Sequence, residues 1–437
     1  MTSIVLYFHV HQPFRLRRYS FFDIGREEEY FDDEANAWIV RRVAERCYLP
    51  MNDLLLRLVQ RHGTQFRCAM SVTSTVLEQM ERWAPDALAS FKRLAETGAV
   101  EFVSETSHHS LAFLANGREF RAQVRAQTER LERVFGKRPR SFRNTELVID
   151  DRVTRVADEL GFAALLGEGA DHLVGWRSPT SVFAAAGTDK LKVLLRSYEL
   201  SDDIAFRFSN RGWSEWPLSA EKFARFLEKV PENAQQVGLF MDYETAGEHQ
   251  WEETGIFDFL EAMPGAAMAS GRFAFRTPSE VADREAATET LEIPHPVSWA
   301  DAERDLSAWL GNSMQRAAHE ALYGLYDAVR AAADGGRPEF LERWRKLSTS
   351  DHVYYMATKG SSDGEVHAHF SPYDSPHEAY VNFMNVVDDL ARRLGRSERR
   401  PPLNTPSPAG GLESADATIA TDAASTSEIQ SPEGEES

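Results

Sequence analysis

The chain has only two cysteines, Cys47 and Cys68, in 437 residues, and neither stands in a CxxC or CxH spacing. That argues against a disulfide scaffold and a cysteine-based structural zinc site, and it suits a reducing compartment. No apolar run is long enough to span a bilayer, so no membrane is expected as a partner. No basic stretch precedes the first apolar segment, which runs straight into His9. It reads as a strand and not as a signal peptide, and the expected location is the cytoplasm. Basic residues are the minority, with 49 Lys and Arg against 68 Asp and Glu, a formal net charge of −19. A surface of that sign repels polyanions, so nucleic acid is not an expected partner. GxGxxG and Walker patterns are missing too, the Gly167-Glu168-Gly169 stretch carries an acid, and the GxSxG match at 360–364 follows no expected strand and so makes no elbow. Nucleotide cofactors and a serine-elbow hydrolase are therefore set aside.

At 42% hydrophobic residues, the chain can bury a large core. Short apolar runs alternate with amphipathic segments closed by glycine. The strand expectations are 4–8, 66–72, 100–103, 139–146, 162–166, 191–195 and 236–241, with helices between them ending at Gly63, Gly98, Gly136 and Gly161. Strand–helix alternation means an α/β fold with a parallel sheet. Seven strands with one long insertion predict an incomplete (β/α)7 barrel, although an open doubly wound sheet alternates in the same way. Ionisable and aromatic residues follow the apolar part of most strands, as at the C-terminal mouth of a β/α barrel. The run Val237 to Phe240, ending in Asp242, Glu244, Glu248, His249 and Trp251, is the clearest case. After about residue 288, helical periodicity takes over at 299–330, 338–346 and 376–394. The expected organisation is a barrel over 1–287, a helical domain over 288–396 completing the site, and a disordered acidic tail over 397–437.

Glu146 and Asp242 are the central pair. Two carboxylates about 5–5.5 Å apart can cleave an acetal by double displacement, one attacking the anomeric carbon and the other moving the proton. One must be ionised and the other protonated. Arg143, on the same strand as Glu146, is placed to keep it ionised. The alternative is a pair of structural acids closing salt bridges. His9 and His11 share a strand face by period two. They fit substrate donors, satisfied polar groups, or metal ligands with Asp242, His109 or Glu105 as the third; a sugar site ranks above a metal. Glu105, His108 and His109 follow the third strand. Trp176, Trp213, Trp216, Trp251, Trp299 and Trp309 offer faces on which sugar rings stack, and packing is the alternative for each.

Read in order, these segments resemble glycoside hydrolase family 57, in its α-amylase-like branch. The motifs are His9-Val-His11-Gln12-Pro13, Glu105-Thr-Ser-His-His109, Phe142-Arg-Asn-Thr-Glu146-Leu, Gly167 to Trp176, Met241-Asp242-Tyr-Glu244 through Trp251, and Val297-Ser-Trp299-Ala-Asp301. The resemblance implies a (β/α)7 barrel with a helical domain, retention at α-glucosidic bonds, and no metal or other cofactor. It carries the nucleophile onto Glu146 and the acid/base onto Asp242. Substrate contacts are expected from His9, His11, Glu105, His109, Trp176, Glu244, Trp299 and Asp301, with Glu244 also the rival acid. Ala246 stands where the branch commonly has Phe, and it is expected to reshape a subsite. The expected substrate is an α-glucan or maltooligosaccharide. Within the class, a 4-α-glucanotransferase or branching enzyme is the nearest alternative. Outside it stand a metal-dependent deacetylase or α-mannosidase-like barrel, and a non-catalytic glucan-binding protein.

Overall fold

Each of the seven expected apolar runs becomes a strand, and the strands close on one another. The structure, a computed structural model, describes residues 1–359 and 371–395; the expected tail at 397–437 lies outside them. The strands are β1 (Thr2–Val10), β2 (Cys68–Val72), β3 (Val100–Phe102), β4 (Ser141–Arg143), β5 (Ala164–Glu168), β6 (Val182–Ala185), β7 (Lys192–Arg196), β8 (Gln236–Asp242), β9 (Phe273–Phe275) and β10 (Glu289–Leu291). Seven of them pair in parallel around a ring, β1-β2-β3-β4-β5-β7-β8 and back to β1. A closed ring rules out the open doubly wound alternative.

Two seams of the ring are thin. β3 meets β4 through one bridge, Ser104 to Phe142, and β8 meets β7 through Arg196 opposite Gly238. Below that second seam, β6 pairs antiparallel along β7 and fills the gap. Similarly, β9 occupies the part of the β1 edge that β2 does not reach. These short accessory strands have no length or periodicity by which the sequence could announce them.

Period two sorts the core into layers. Val5, Tyr7, Ala69, Ala164, Leu166, Leu194 and Phe240 share one cluster, the barrel interior. The alternate residues, such as Ile4, Leu6, Phe8, Val237 and Leu239, pack against outer helices. The helices punctuate as expected: Gly63, Gly136 and Gly161 all adopt positive φ just past helix ends. Two expectations need correction. The fourth strand stops at Arg143, and Glu146 sits on the turn after it. Residues 299–306 form no helix; the helical segment begins at Ser307–Leu310 and continues through Ser313–Gly324, Tyr326–Asp334, Glu339–Leu347, Ser350–Tyr354 and Pro376–Arg393. Among the described residues, no helix is long and apolar enough to cross a membrane.

Gly238 explains how the β7–β8 seam closes. A Cβ there would lie 2.5 Å from the Leu195 carbonyl oxygen and 2.9 Å from the Phe240 ring. Backbone against backbone leaves no flexible atom to give way. Gly238→Ala is therefore expected to destabilise the fold by roughly 1–3 kcal/mol in denaturant unfolding. Unchanged stability would mean that the seam tolerates separation.

Candidate active site

The inward-facing columns change character as they rise. Val5 and Tyr7 are followed by His9, Ala69 by Ser71, Leu166 by Glu168, Leu194 by Arg196, and Phe240 by Asp242. The faces that plug the barrel below thus deliver ionisable groups above. The β1–β8 register sets His9 directly beside Asp242, and His9 Nδ1 lies 3.3 Å from Asp242 Oδ1.

From the other side of the ring come Glu105, His109, Arg143 and Glu146. His109 bridges two carboxylates, with Nδ1 3.0 Å from Glu105 and Nε2 2.9 Å from Glu146. Burial, the largest single influence on His109, pushes its pKa down, but the two carboxylates together outweigh it and hold it up at about 9. It is an imidazolium at neutral pH, donating from both nitrogens. Burial would likewise raise Glu105, yet His9, His109 and Arg143 hold that carboxyl well below its ordinary range. Trp299 Nε1 donates to the second oxygen of Glu146 at 2.8 Å. Glu146 is thereby fixed by a cation on one oxygen and an N–H on the other, both of which favour its anion.

The backbone bends to make this possible. Among the described residues, the non-glycine positions with positive φ are His109, Glu146, Leu147, Asp301 and Arg304. Such a conformation costs about 1–3 kcal/mol at each residue, and it persists only where its surroundings hold it. The loop carrying Trp299 is held by the Ile149–Val297 bridge and by Arg304, which pairs with the buried Glu168; Arg196 pairs with Glu168 as well. The guanidinium of Arg143 lies 5.1 Å from the centre of the Trp299 ring.

A cleft opens here. Of the expected site residues, His9, His11, His109, Glu146, Asp242, Glu244 and Trp299 line it. Glu105 stands behind His109. Asp301 is buried off the cleft, near Lys359, and Trp176 is 87% exposed and lines neither this cleft nor its neighbour. Ala246 packs into the outer core, so its small side chain does not shape the cleft. Of the six tryptophans, only Trp299 lines the cleft; Trp309 is core. Several lining residues had no signal in the sequence. Asp351 and Tyr355 come from the helical segment, and Asp351 accepts from His11 Nε2 at 3.1 Å. His249 and Gln12 lie inside quoted motifs, so proximity to Asp242 and His11 was their available clue.

The acids near the mouth hold different protonation states. Burial pushes Asp242 up, but His9 and His249 outweigh it and keep its pKa below the ordinary value. Its side chain is 36% exposed to the cleft. Glu244, two residues on, is raised by burial and then by the Asp242 charge to about 8. Its Oε1 accepts from Tyr48 at 2.7 Å and from Gln12 at 3.3 Å. His11 is pushed down to about 4 by burial and then by the His109 charge, so it is neutral.

Ligating atoms of His9, Glu105 and His109 lie within 4.8 Å of one another, as metal ligands would. Arg143 Nη1 already stands among them, 3.3 Å from His9 Nε2 and 3.4 Å from both Glu105 Oε2 and His109 Nδ1. A second cation there would meet that guanidinium. The group His11, His109 and Asp351 would need a nitrogen that His109 already gives to a carboxylate. The donor set does not fit a metal.

Residues 5–294 match glycosyl hydrolase family 57. The chain is also 38% identical over 400 residues to a Methanocaldococcus jannaschii protein named "Putative alpha-amylase", covering 89% of this chain and 84% of that one. The chain belongs to glycosyl hydrolase family 57. The fold of this family 57 protein is similar to three solved structures. One is 4-alpha-glucanotransferase from Thermococcus litoralis (TM-score 0.66, 14% identity, 90% of this chain and 60% of that one). The second is the branching enzyme from Pyrococcus horikoshii (0.65, 14%, 92% and 98%). The third is an alpha-amylase from Thermotoga maritima (0.58, 15%, 91% and 94%).

Because Glu244 keeps its proton to about pH 8 when folded and loses it near 4.5 when unfolded, it lowers stability as pH rises between those values. Glu244→Gln, which keeps the acceptor oxygen, should raise Tm relative to wild type at about pH 8 but not at about pH 5. An equal difference at both would mean that the folded carboxyl is ionised.

Proposed function

We propose that this family 57 protein is a retaining α-glucan hydrolase of the α-amylase type, cleaving α-1,4-glucosidic bonds by double displacement. Glu146 is the nucleophile and Asp242 the acid/base. The observation that carries the reading is the unequal treatment of two acids on one cleft. Glu146 is clamped at both oxygens as an anion, while Asp242 is held more loosely and opens to the cleft. Anion and orientation are what attack on an anomeric carbon needs.

In the first step, Glu146 bonds to the anomeric carbon and the glycosidic oxygen departs with a proton from Asp242. In the second step, Asp242 takes a proton from water, which bonds to the same carbon and releases Glu146. The first step needs a protonated Asp242. A seated glucan excludes water from its exposed face, and the Glu146 charge faces it; both raise its pKa. His109, Trp299, His11, His9 and Glu244 are the proposed contacts to substrate or nucleophile, and Glu105 sets the charge of His109. The two cysteines are buried and free, which supports a reducing, cytoplasmic setting.

A second reading makes Glu244 the acid. It is favoured because that carboxyl already carries a proton at neutral pH.

Glu146→Gln is expected to lower kcat by several orders of magnitude with the fold intact, since the covalent step disappears. Survival of most of the activity would reject the nucleophile assignment. Asp242→Ala should lose far less on an activated aryl glucoside than on amylose, because a good leaving group needs no proton. If Glu244→Gln shows that pattern instead and Asp242→Ala does not, Glu244 is the acid. Product analysis on amylose and maltoheptaose should show shortened chains with new reducing ends. Chains lengthened without a gain in reducing ends would identify a transferase, and new α-1,6 links a branching enzyme.

A further inference from the structure

Two hollows meet at Asp242. The cleft already described holds both Glu146 and Asp242. The second shares Asp242, His249 and Trp299 with it, and Glu146 does not line it. Its remaining walls include Phe206, Tyr354, Met241 and Ala300. In double displacement, the nucleophile faces the anomeric carbon and the acid/base faces the oxygen on the far side of the breaking bond. The hollow with both acids therefore suits the glycosyl unit that becomes attached. The hollow reached by Asp242 alone suits the group that leaves and, in the second step, the group that arrives.

We infer that this second hollow is the acceptor subsite, and that Phe206 is the aromatic platform that decides whether a sugar hydroxyl or water receives the glycosyl unit. The inference rests on the roles given above to Glu146 and Asp242. Phe206 is 44% exposed and lines the second hollow, and an exposed aromatic side chain offers a face to a sugar ring. The position is built and not incidental. Phe206 caps the helix Tyr198–Ala205, which Asp202 ties to Arg196 and Ser201 ties to β8 through the Phe240 N–H. Gln250, from the segment after Asp242, donates to the Ala205 carbonyl at 2.9 Å. The platform and the proton carrier are thus fixed to one another.

In the transfer step, the acceptor hydroxyl oxygen bonds to the anomeric carbon. Its proton passes to the Asp242 carboxylate, and the electron pair of the breaking ester bond returns to Glu146. Hydrolysis and transfer start from one glycosyl-enzyme intermediate, so their ratio reports the acceptor side alone.

The test uses the full chain with α-maltosyl fluoride as donor and maltose as added acceptor, with transfer product and free maltose measured together. Wild type is expected to make transfer product in proportion to maltose. Phe206→Ala should lower the transfer-to-hydrolysis ratio about tenfold or more, whereas Phe206→Trp, which keeps an aromatic face, should hold it within about threefold. A ratio unchanged in Phe206→Ala, or fluoride consumed by wild type with no transfer at any maltose concentration, overturns the subsite. A wild type that leaves the fluoride untouched overturns the hydrolase reading and the subsite with it.

Discussion

A single imidazolium holds the site together. His109 lies between Glu105 and Glu146, with its two N–H groups spent on two buried carboxylates. Neither acid has bulk water to stabilise its charge, and an unpaired buried carboxylate would cost several kcal/mol. The cation therefore fixes where both acids lie. Its demands reach into the backbone, since His109 and Glu146 both take left-handed conformations to meet. They reach into the loop at 297–306, because Trp299 must stand where its N–H finds the second Glu146 oxygen. Arg143 closes the arrangement from below, in the space between His9, Glu105 and His109.

That cation also divides the charge of the neighbouring groups. The ring centres of His9, His11 and His109 lie within 5.7 Å of one another. With His109 charged, His11 stays neutral and uses Thr73 and Asp351 as partners. On the other wall, Asp242 and Glu244 are two residues apart and hold opposite states. Two anions so close and so buried would repel, and the one without a cationic partner keeps its proton. The cleft thus offers a clamped anion, a partly exposed carboxylate and a neutral acid within one small volume, a range suited to acid–base chemistry.

Much of the fold was legible because its strands are buried on both faces and stop at polar residues. The seven runs, and the glycines at 63, 136 and 161, needed no tertiary information. Period two also placed His9 and His11 on one strand face, and both line the cleft. Other features were misread for a common reason. Glu146 lies beyond its strand, held by His109 and Trp299, and nothing in Ser141-Phe-Arg-Asn-Thr marks where pairing stops. Residues 299–306 carry a helix-like pattern but are held open by Glu168 and the Ile149–Val297 bridge. Trp176 sits in a quoted motif and still faces solvent, because a local motif does not say which side of a loop meets the cleft.

Sequence alone determined the membership of the family, the alternation of strands and helices, and the residue types that rise above the apolar plug. Those follow from short-range patterns, since alternation and turn residues act over a few positions. Tertiary structure decided which acid is clamped, which is exposed, which keeps its proton, and that a second hollow shares Asp242. Those properties depend on charges and dipoles a few ångströms away, and the chain supplies them from afar: Trp299 to Glu146, Asp351 to His11, Tyr48 to Glu244. Electrostatic interaction in a buried site falls off with distance in space and takes no account of distance along the chain.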